Sequence, residues 1–287
     1  MGVNTGIEWT DATWNPVGGC SIASPGCINC YAQRLAGGRL RHHPLYAGTT
    51  TESKTGPVFN GTMTAAPDKA EVWTWPMGWR GSKHPRRGAG ARSMIFVADM
   101  ADLFHPSRPT STIDQVFAIM SQAHKFDFQV LTKRPEIMAR YLNDKRTPDR
   151  IMEAALRLLK YFFHPGYWPL PNVWVGTSIE RQHEFKERML HLKRCDAAVR
   201  FLSCEPLLER IDIQRVLADG TVDWVICGGE SGAQARFMNP DWARDLRQQC
   251  MGTDTPFFMK QMSGKTSIPD DLKVRQWPKV RQWPKVF

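Results

Sequence analysis

No run of apolar residues in this 287-residue chain approaches the ~20 that a membrane-spanning helix needs. The first residues, MGVNTGIEWTDATW, lack the basic flank and hydrophobic stretch of a secretory signal. The cysteines number seven, and an odd count rules out a complete disulfide framework. These absences place the expected chain in a reducing, cytoplasmic compartment, where its cysteines are free thiols or metal ligands. Whole-chain disorder is excluded as well, because 42% of residues are hydrophobic and 23% charged.

Acidic residues are the scarcer charge. There are 28 against 38 Lys and Arg, giving a net charge of +10. The segment 37–92 holds nine basic residues against three acidic ones (Glu52, Asp68 and Glu71), so it supplies +6 of that total. A local excess of this kind suits a polyanionic partner, nucleic acid first, or else a solvated basic surface. Residues 38–92 lack a clear period and are rich in Gly, Pro, Thr, His and Trp. They read as an irregular basic insertion, with Trp73, Trp75 and Trp79 available to stack on bases.

From Ser93 onward, short apolar runs alternate with amphipathic stretches. Strands are expected at 94–97, 128–131, 173–175, 199–202, 224–227 and 256–259, with helices at 112–124, 135–143, 181–194 and 241–250. With one strand before Cys20, this alternation predicts an α/β fold, a partial or complete parallel (βα) barrel of about six or seven strands, as a single domain over 1–287. Polar residues follow the strands: Asp99 and Asp102, Thr132-Lys133-Arg134, Ser178 and Glu180, Ser203 and Glu205, and Gly228-Gly229-Glu230-Ser231. In such a barrel these positions share the C-terminal face, where active sites are built. Each alone could instead be a helix cap, Ser178, Ser203 and Ser231 especially. A tandem VRQWPK at 274–279 and 280–285 reads as a mobile basic-aromatic tail within 273–287.

The most specific feature is Cys20-x6-Cys27-x2-Cys30, in VGGCSIASPGCINCYAQR. Gly18, Gly19 and Ser24-Pro25-Gly26 let the backbone wrap closely around a ligand. Three thiolates in one short loop repel each other unless a cation lies between them, which favours a metal. Zinc would need a fourth donor, for which His42 or His43 is available. An iron–sulfur cluster held by three cysteines would leave one iron open. Cys195 and Cys250 lie at the ends of predicted helices and read as structural.

The run Trp14-Asn15-Pro16-Val17-Gly18-Gly19-Cys20 through Gly26-Cys27-Ile28-Asn29-Cys30-Tyr31-Ala32-Gln33-Arg34 resembles the cluster loop of the radical S-adenosylmethionine superfamily. It is most similar to the spore photoproduct lyase branch. Asp102-Leu103-Phe104-His105-Pro106 and Val130-Leu131-Thr132-Lys133-Arg134 add to the match. The chain as a whole resembles an uncharacterised group of bacteriophage-borne three-cysteine proteins. It departs from the superfamily in its six-residue first gap, where three is usual, and in Asn29, where an aromatic residue is usual.

The resemblance implies a 4Fe–4S cluster on Cys20, Cys27 and Cys30. The open iron would bind S-adenosylmethionine, whose cleavage yields a 5′-deoxyadenosyl radical. Asp99, Asp102, Thr132, Ser178, Glu180, Gly228, Gly229 and Glu230 are then candidates to hold that cofactor. Lys133 could contact a phosphate, and Cys204, or else Cys227, could return a hydrogen atom to substrate, the alternative for both being a small apolar residue buried in the core. The implied activity is a lyase or transferase that repairs or modifies a base in DNA, more than RNA, with electrons from a flavodoxin or ferredoxin. The alternatives are radical modification of a peptide or protein partner, and a non-catalytic zinc protein that binds nucleic acid.

Overall fold

A computed structural model describes residues 2, 5–162 and 167–279. Seven strands form one sheet in chain order: β1 (Ala12–Trp14), β2 (Met94–Val97), β3 (Asp127–Thr132), β4 (Val173–Ser178), β5 (Val199–Cys204), β6 (Trp224–Gly228) and β7 (Phe257–Gln261). Every adjacent pair is parallel. The sheet does not close from β7 back to β1, so it forms a half-barrel, the partial parallel (βα) barrel the alternation predicts. The strands read as unbroken apolar runs because both sheet faces are covered: all four residues of β2 and all five of β6 are buried.

Among the described residues eight α-helices accompany the sheet: α1 (Tyr31–Gly37), α2 (Glu71–Gly78), α3 (Thr110–Gln122), α4 (Pro135–Asn143), α5 (Thr147–Leu159), α6 (Gln182–Leu192), α7 (Gln214–Ala218) and α8 (Pro240–Met251). On α3 the expected face, Ile113, Val116, Phe117 and Met120, is buried. Side chains alternate along each strand between two apolar layers. The outer layer, with Ile95, Val97, Phe128, Val130, Leu202, Cys204 and Cys227, packs against the helices. The inner layer is largely aromatic, with Phe96, Trp174, Phe201, Trp224 and Phe258. Among the described residues no helix packs on it; Trp9 fills it instead, its ring 4.6 Å from that of Phe96 and edge-on to Trp224 at 6.2 Å.

The first tail repeat helps to close the same layer, which corrects the expectation of a mobile tail for residues 273–279. Arg275 bridges to Phe258, Trp277 lies edge-on to the Phe258 ring at 5.2 Å, and its indole donates to the Trp9 carbonyl at 3.4 Å. The Gln276 side chain accepts from the Phe257 amide at 3.0 Å. The second repeat lies outside the described residues. Replacing Trp277 by Ala is expected to lower stability by roughly 2 kcal/mol, since a half-buried indole leaves an aromatic layer. An unshifted urea midpoint would show that the tail adds nothing to the core.

The insertion is more ordered than its composition predicts. Thr50–Ser53 and Gly56–Phe59 form a hairpin, Thr64–Ala65 pairs with Val17–Gly18, and α2 follows. Its tryptophans are not a platform for bases. Trp73 is buried, with its indole N–H donating to the Ala66 carbonyl at 3.1 Å, and Trp75, Trp79 and Phe126 stack in sequence at 5.3 and 4.9 Å. Three of the nine basic residues are engaged at the N-terminal end of the strands. Arg87 pairs with Asp127 and lies 5.0 Å above the Trp174 ring; Arg92 approaches Asp127 at 3.7 Å; Arg86 donates to the Thr5 carbonyl at 3.0 Å. Among the described residues no helix is long and apolar enough to cross a membrane.

Candidate functional site

A cavity of about 200 Å³ opens at the C-terminal ends of the strands, the face expected to carry the site. Its floor is the inner apolar layer, with Ile7, Trp9, Phe96 and Leu131. Its walls carry Asp99, Asp102, Thr132, Lys133, Ser178, Ser203, Glu205, Gly229, Glu230, Ser231, Lys260 and Gln261. Cys20, Cys27 and Cys30 all line it, and all three are free thiols. At the rim Ala98 takes a left-handed conformation (φ 56°), a strained turn for a residue with a side chain, and Asp99 follows it directly.

Contacts fix the cysteine loop along its whole length. Gly19 has φ +90°, and a Cβ there would lie 2.0 Å from the Thr62 carbonyl oxygen, so only glycine lets the insertion pack against the loop. Arg108, buried, donates to the Gly18 carbonyl at 3.0 Å and to the Thr64 carbonyl at 3.1 Å. Pro25–Cys27 make one turn of 3-10 helix, and Cys30 sits at the N-cap of α1. From α1, Gln33 reaches back and donates to the carbonyls of Cys27 and Ile28 at 3.0 and 3.1 Å.

Three strand-end carboxylates anchor the loop from outside. After β2, Asp102 accepts from Thr132 Oγ1 and from Arg134 Nη1, both at 2.7 Å. Arg134 in turn donates to the Ser21 carbonyl and hydroxyl at 3.0 and 2.8 Å and approaches Cys20 Sγ at 3.8 Å. After β4, Glu180 accepts from Ser24 Oγ and from Arg188 Nη1, both at 2.8 Å, and pairs with Lys133. A Cβ on Gly26 would fall 2.5 Å from Glu180 Cγ, which explains the glycine. After β6, Glu230 accepts from Asn29 Nδ2 at 2.9 Å and from the Arg236 amide at 2.8 Å, while Arg236 Nη2 donates to the Pro25 carbonyl at 2.9 Å.

The electrostatics follow from burial. Burial raises the Glu180 carboxyl, but Lys133 and Arg188 outweigh it and hold the group below its ordinary range. Glu230 is likewise pulled down against burial, by its hydrogen bonds from Arg236 and Asn29. Burial and then Arg134 lower His105, which favours its neutral form. Its Nδ1 accepts from the Ser107 amide at 3.1 Å, which leaves Nε2–H to meet Ser21 Oγ at 2.7 Å. Burial raises Asp99, which accepts from Asn15 at 2.5 Å and whose carbonyl accepts from Tyr31 at 2.7 Å.

Whether these residues suit an iron–sulfur cluster is decided by the thiols' surroundings. Burial pushes Cys20 up to about 12 and raises Cys30 as well; the neighbouring Cys27 and Cys30 raise Cys20 further, and Cys27 raises Cys30. Three thiolates here therefore require a bound cation. Donors to sulfur are already in place: Arg134 at Cys20, the Ala23 amide at 3.4 Å from Cys27 Sγ, and the first-turn amides of α1 at Cys30. Such N–H groups aimed at sulfur suit cluster thiolates. The side chains share the cavity without closing on one point; among the described residues no three His, Cys, Asp or Glu groups are gathered to hold a single metal ion. Neither His42 nor His43 lines the cavity, and His43 Nδ1 is taken by the Leu45 amide at 3.2 Å, so the fourth zinc donor expected there is not at hand. The donor set fits a cluster better than a four-coordinate zinc.

The other expected residues divide. Asp99, Asp102, Thr132, Lys133, Ser178, Gly229 and Glu230 reach the cavity. Of these, Asp102 and Glu230 direct their carboxylates at protein donors, as does Glu180 behind the loop. Gly228 lies on β6 without lining the cavity. Cys204 and Cys227 do not face it at all, which corrects their assignment as hydrogen donors. They are partners in register on β5 and β6, fully buried in the outer layer beneath α8, and burial raises both thiols. Strand alternation is the reason: Ser203 points inward, so Cys204 points out. Nor do Ser178, Ser203 and Ser231 cap helices; among the helices named, only Asn239 caps with its side chain, accepting from the Asp241 amide. Lys260, to which no role is expected from the sequence, pairs with Glu205 inside the cavity at 2.7 Å. Its strand position, one inward step beyond Phe258, is the signal that could have found it.

A family model described as "Protein of unknown function (DUF5131)" matches residues 4–280. No curated protein and no solved structure matches the chain.

Proposed function

The chain belongs to the DUF5131 family, and from the geometry of its site we propose that it is a radical S-adenosylmethionine enzyme acting on a base of nucleic acid, DNA before RNA. One observation carries this reading: Cys20, Cys27 and Cys30 line a single cavity at the C-terminal mouth of a parallel half-barrel. Cys20, Cys27 and Cys30 would hold a 4Fe–4S cluster, and the chemistry it would supply is the single electron that cleaves S-adenosylmethionine to methionine and a 5′-deoxyadenosyl radical, the species that would take hydrogen from substrate.

The chain's own residues do the rest. Arg134, the Ala23 amide and the α1 amides stabilise the thiolates. Asp102, Glu180 and Glu230 hold the loop at a fixed height over the floor. Asp99, half-buried at the rim beside Tyr31, would take the cofactor's ammonium, and Ser178 its hydroxyl groups. Trp9, Phe96 and Leu131 keep the floor dry. The net charge of +10 supports a polyanionic substrate, and a base in a duplex would have to be flipped out to reach this depth. The reading also calls for a cytoplasmic setting and a flavodoxin or ferredoxin as electron donor.

Protein purified without oxygen is expected to be brown, to contain iron and acid-labile sulfide, and to convert S-adenosylmethionine to 5′-deoxyadenosine once reduced. Colourless protein holding stoichiometric zinc would overturn the proposal.

A further inference from the structure

One wall of the cavity is built from the ends of β5, β6 and β7. On β5, Phe201 belongs to the inner layer, Cys204 to the outer, and Ser203 and Glu205 line the cavity. On β7, Phe258 is inner, Met259 outer, and Lys260 lines the cavity. Between them on β6, the inward position beyond Ile226 is Gly228. Because that position carries no side chain, Lys260 reaches over β6 to Glu205, with Nζ 2.7 Å from Oε1. A Cβ on Gly228 would lie 3.0 Å from the same oxygen. Both side chains are largely shielded, 21% and 12% exposed.

This pair anchors nothing in the cysteine loop, unlike Glu180 and Glu230; the other partner of Glu205 is Ser203, at 3.1 Å. A shielded ion pair set into a cavity wall is costly relative to apolar side chains unless a ligand uses it. The Trp9 indole N–H, buried at the floor of the same cavity, has no partner among the described residues. The pocket thus offers a strong donor beside a strong acceptor, above a floor of aromatic rings.

We infer that Glu205 and Lys260 form a base-reading subsite, in which a nucleobase lies over Trp9 and Phe96 and presents adjacent N–H and acceptor atoms of its Watson–Crick edge to the pair. The inference rests on the nucleic-acid reading above and names the residues that would carry it out. A trans peptide bond points its N–H and C=O in opposite directions and cannot satisfy both groups from one edge. Every nucleobase can, and its flat face suits the rings beneath.

The test is equilibrium binding of the full-length, anaerobically prepared protein to a fluorescent single-stranded oligodeoxynucleotide and to the same strand carrying an abasic position. Wild-type protein is expected to favour the intact strand. Glu205→Gln and Lys260→Met should each weaken that preference roughly tenfold, while binding to the abasic strand, iron content and S-adenosylmethionine binding measured by dialysis stay unchanged. Gly228→Ala, which only crowds the pair, should reproduce a smaller loss and so guards against a folding artefact. If the variants keep the wild-type preference, or lose S-adenosylmethionine instead, the subsite assignment fails. If wild-type protein binds neither strand, the nucleic-acid reading itself fails.

Discussion

Cys27→Ser protein is expected to be colourless, to retain less than a tenth of the wild-type iron and to form no 5′-deoxyadenosine, yet to unfold at a urea concentration close to that of wild type. Cys27 is buried in the cavity wall with the Ala23 amide at its sulfur, so a hydroxyl fits the space but is a poor ligand for iron. The same outcome is expected for Cys20→Ser and Cys30→Ser. Cys204→Ala and Cys227→Ala provide the contrast. Both thiols lie in the outer apolar layer, so these variants should lose some stability, about 1 kcal/mol, while keeping their iron. Iron analysis of the five purified proteins decides the matter. Loss of iron from the Cys204 or Cys227 variant, or its retention by the Cys27 variant, would place the cluster elsewhere or nowhere.

The second large effect is expected at Glu180. This carboxylate is fully buried and meets Lys133, Arg188 and Ser24 at once. Glu180→Gln removes the only negative charge of that group and leaves two cations facing each other, which should cost about 3 kcal/mol. The loop should suffer as well, because Ser24 loses its anchor; faster alkylation of Cys27 in iron-free protein would report this. The pH dependence has a definite sign. Because the folded carboxyl is held below its unfolded range, its pairing contributes stability at neutral pH that is lost as pH falls through the carboxylate range. Wild-type protein should therefore weaken on acidification more steeply than Glu180→Gln. Parallel curves would mean that the pairing contributes nothing to stability.

Much of the fold was legible in the sequence, for a physical reason. Strands covered on both faces must be apolar throughout, so Met94–Val97, Val173–Val175 and Trp224–Cys227 stand out against the polar loops around them. Helix α5 was not anticipated, although Pro148 in its first turn and Ile151, Ala154 and Ala155 on one face give it the usual signals. The insertion misled because composition does not reveal direction. Trp73, Trp75 and Trp79 look like a stacking surface until Phe126, almost fifty residues away, is found against Trp79. The tail misled in the same way: Trp277 is apolar cover for Phe258 and not a loose end.

In the site, the cysteine loop and the polar strand ends could be read directly, because the βα alternation places strand ends together. Their division of labour could not. Glu180 and Glu230 look like cofactor ligands by position, and only the contacts to Ser24 and Asn29 reveal them as supports. Inward and outward facing also depends on a one-residue register, and this is why Cys204 was misplaced while Ser203, its neighbour, reached the cavity.

The anchoring of the loop to three separate strand ends bears on the unusual six-residue gap between Cys20 and Cys27. In a loop held only at its two termini, chain length sets where each sulfur lies, and insertions would scatter the ligands. Here Arg134 fixes the stretch at Ser21, Glu180 fixes Ser24, and Glu230 with Arg236 fixes Asn29 and Pro25. The positions of the thiols are thus set by the barrel, and the intervening chain only has to span the anchors. Cysteine spacing becomes a weak identifier for such a protein, and the carboxylates that grip the loop become a better one.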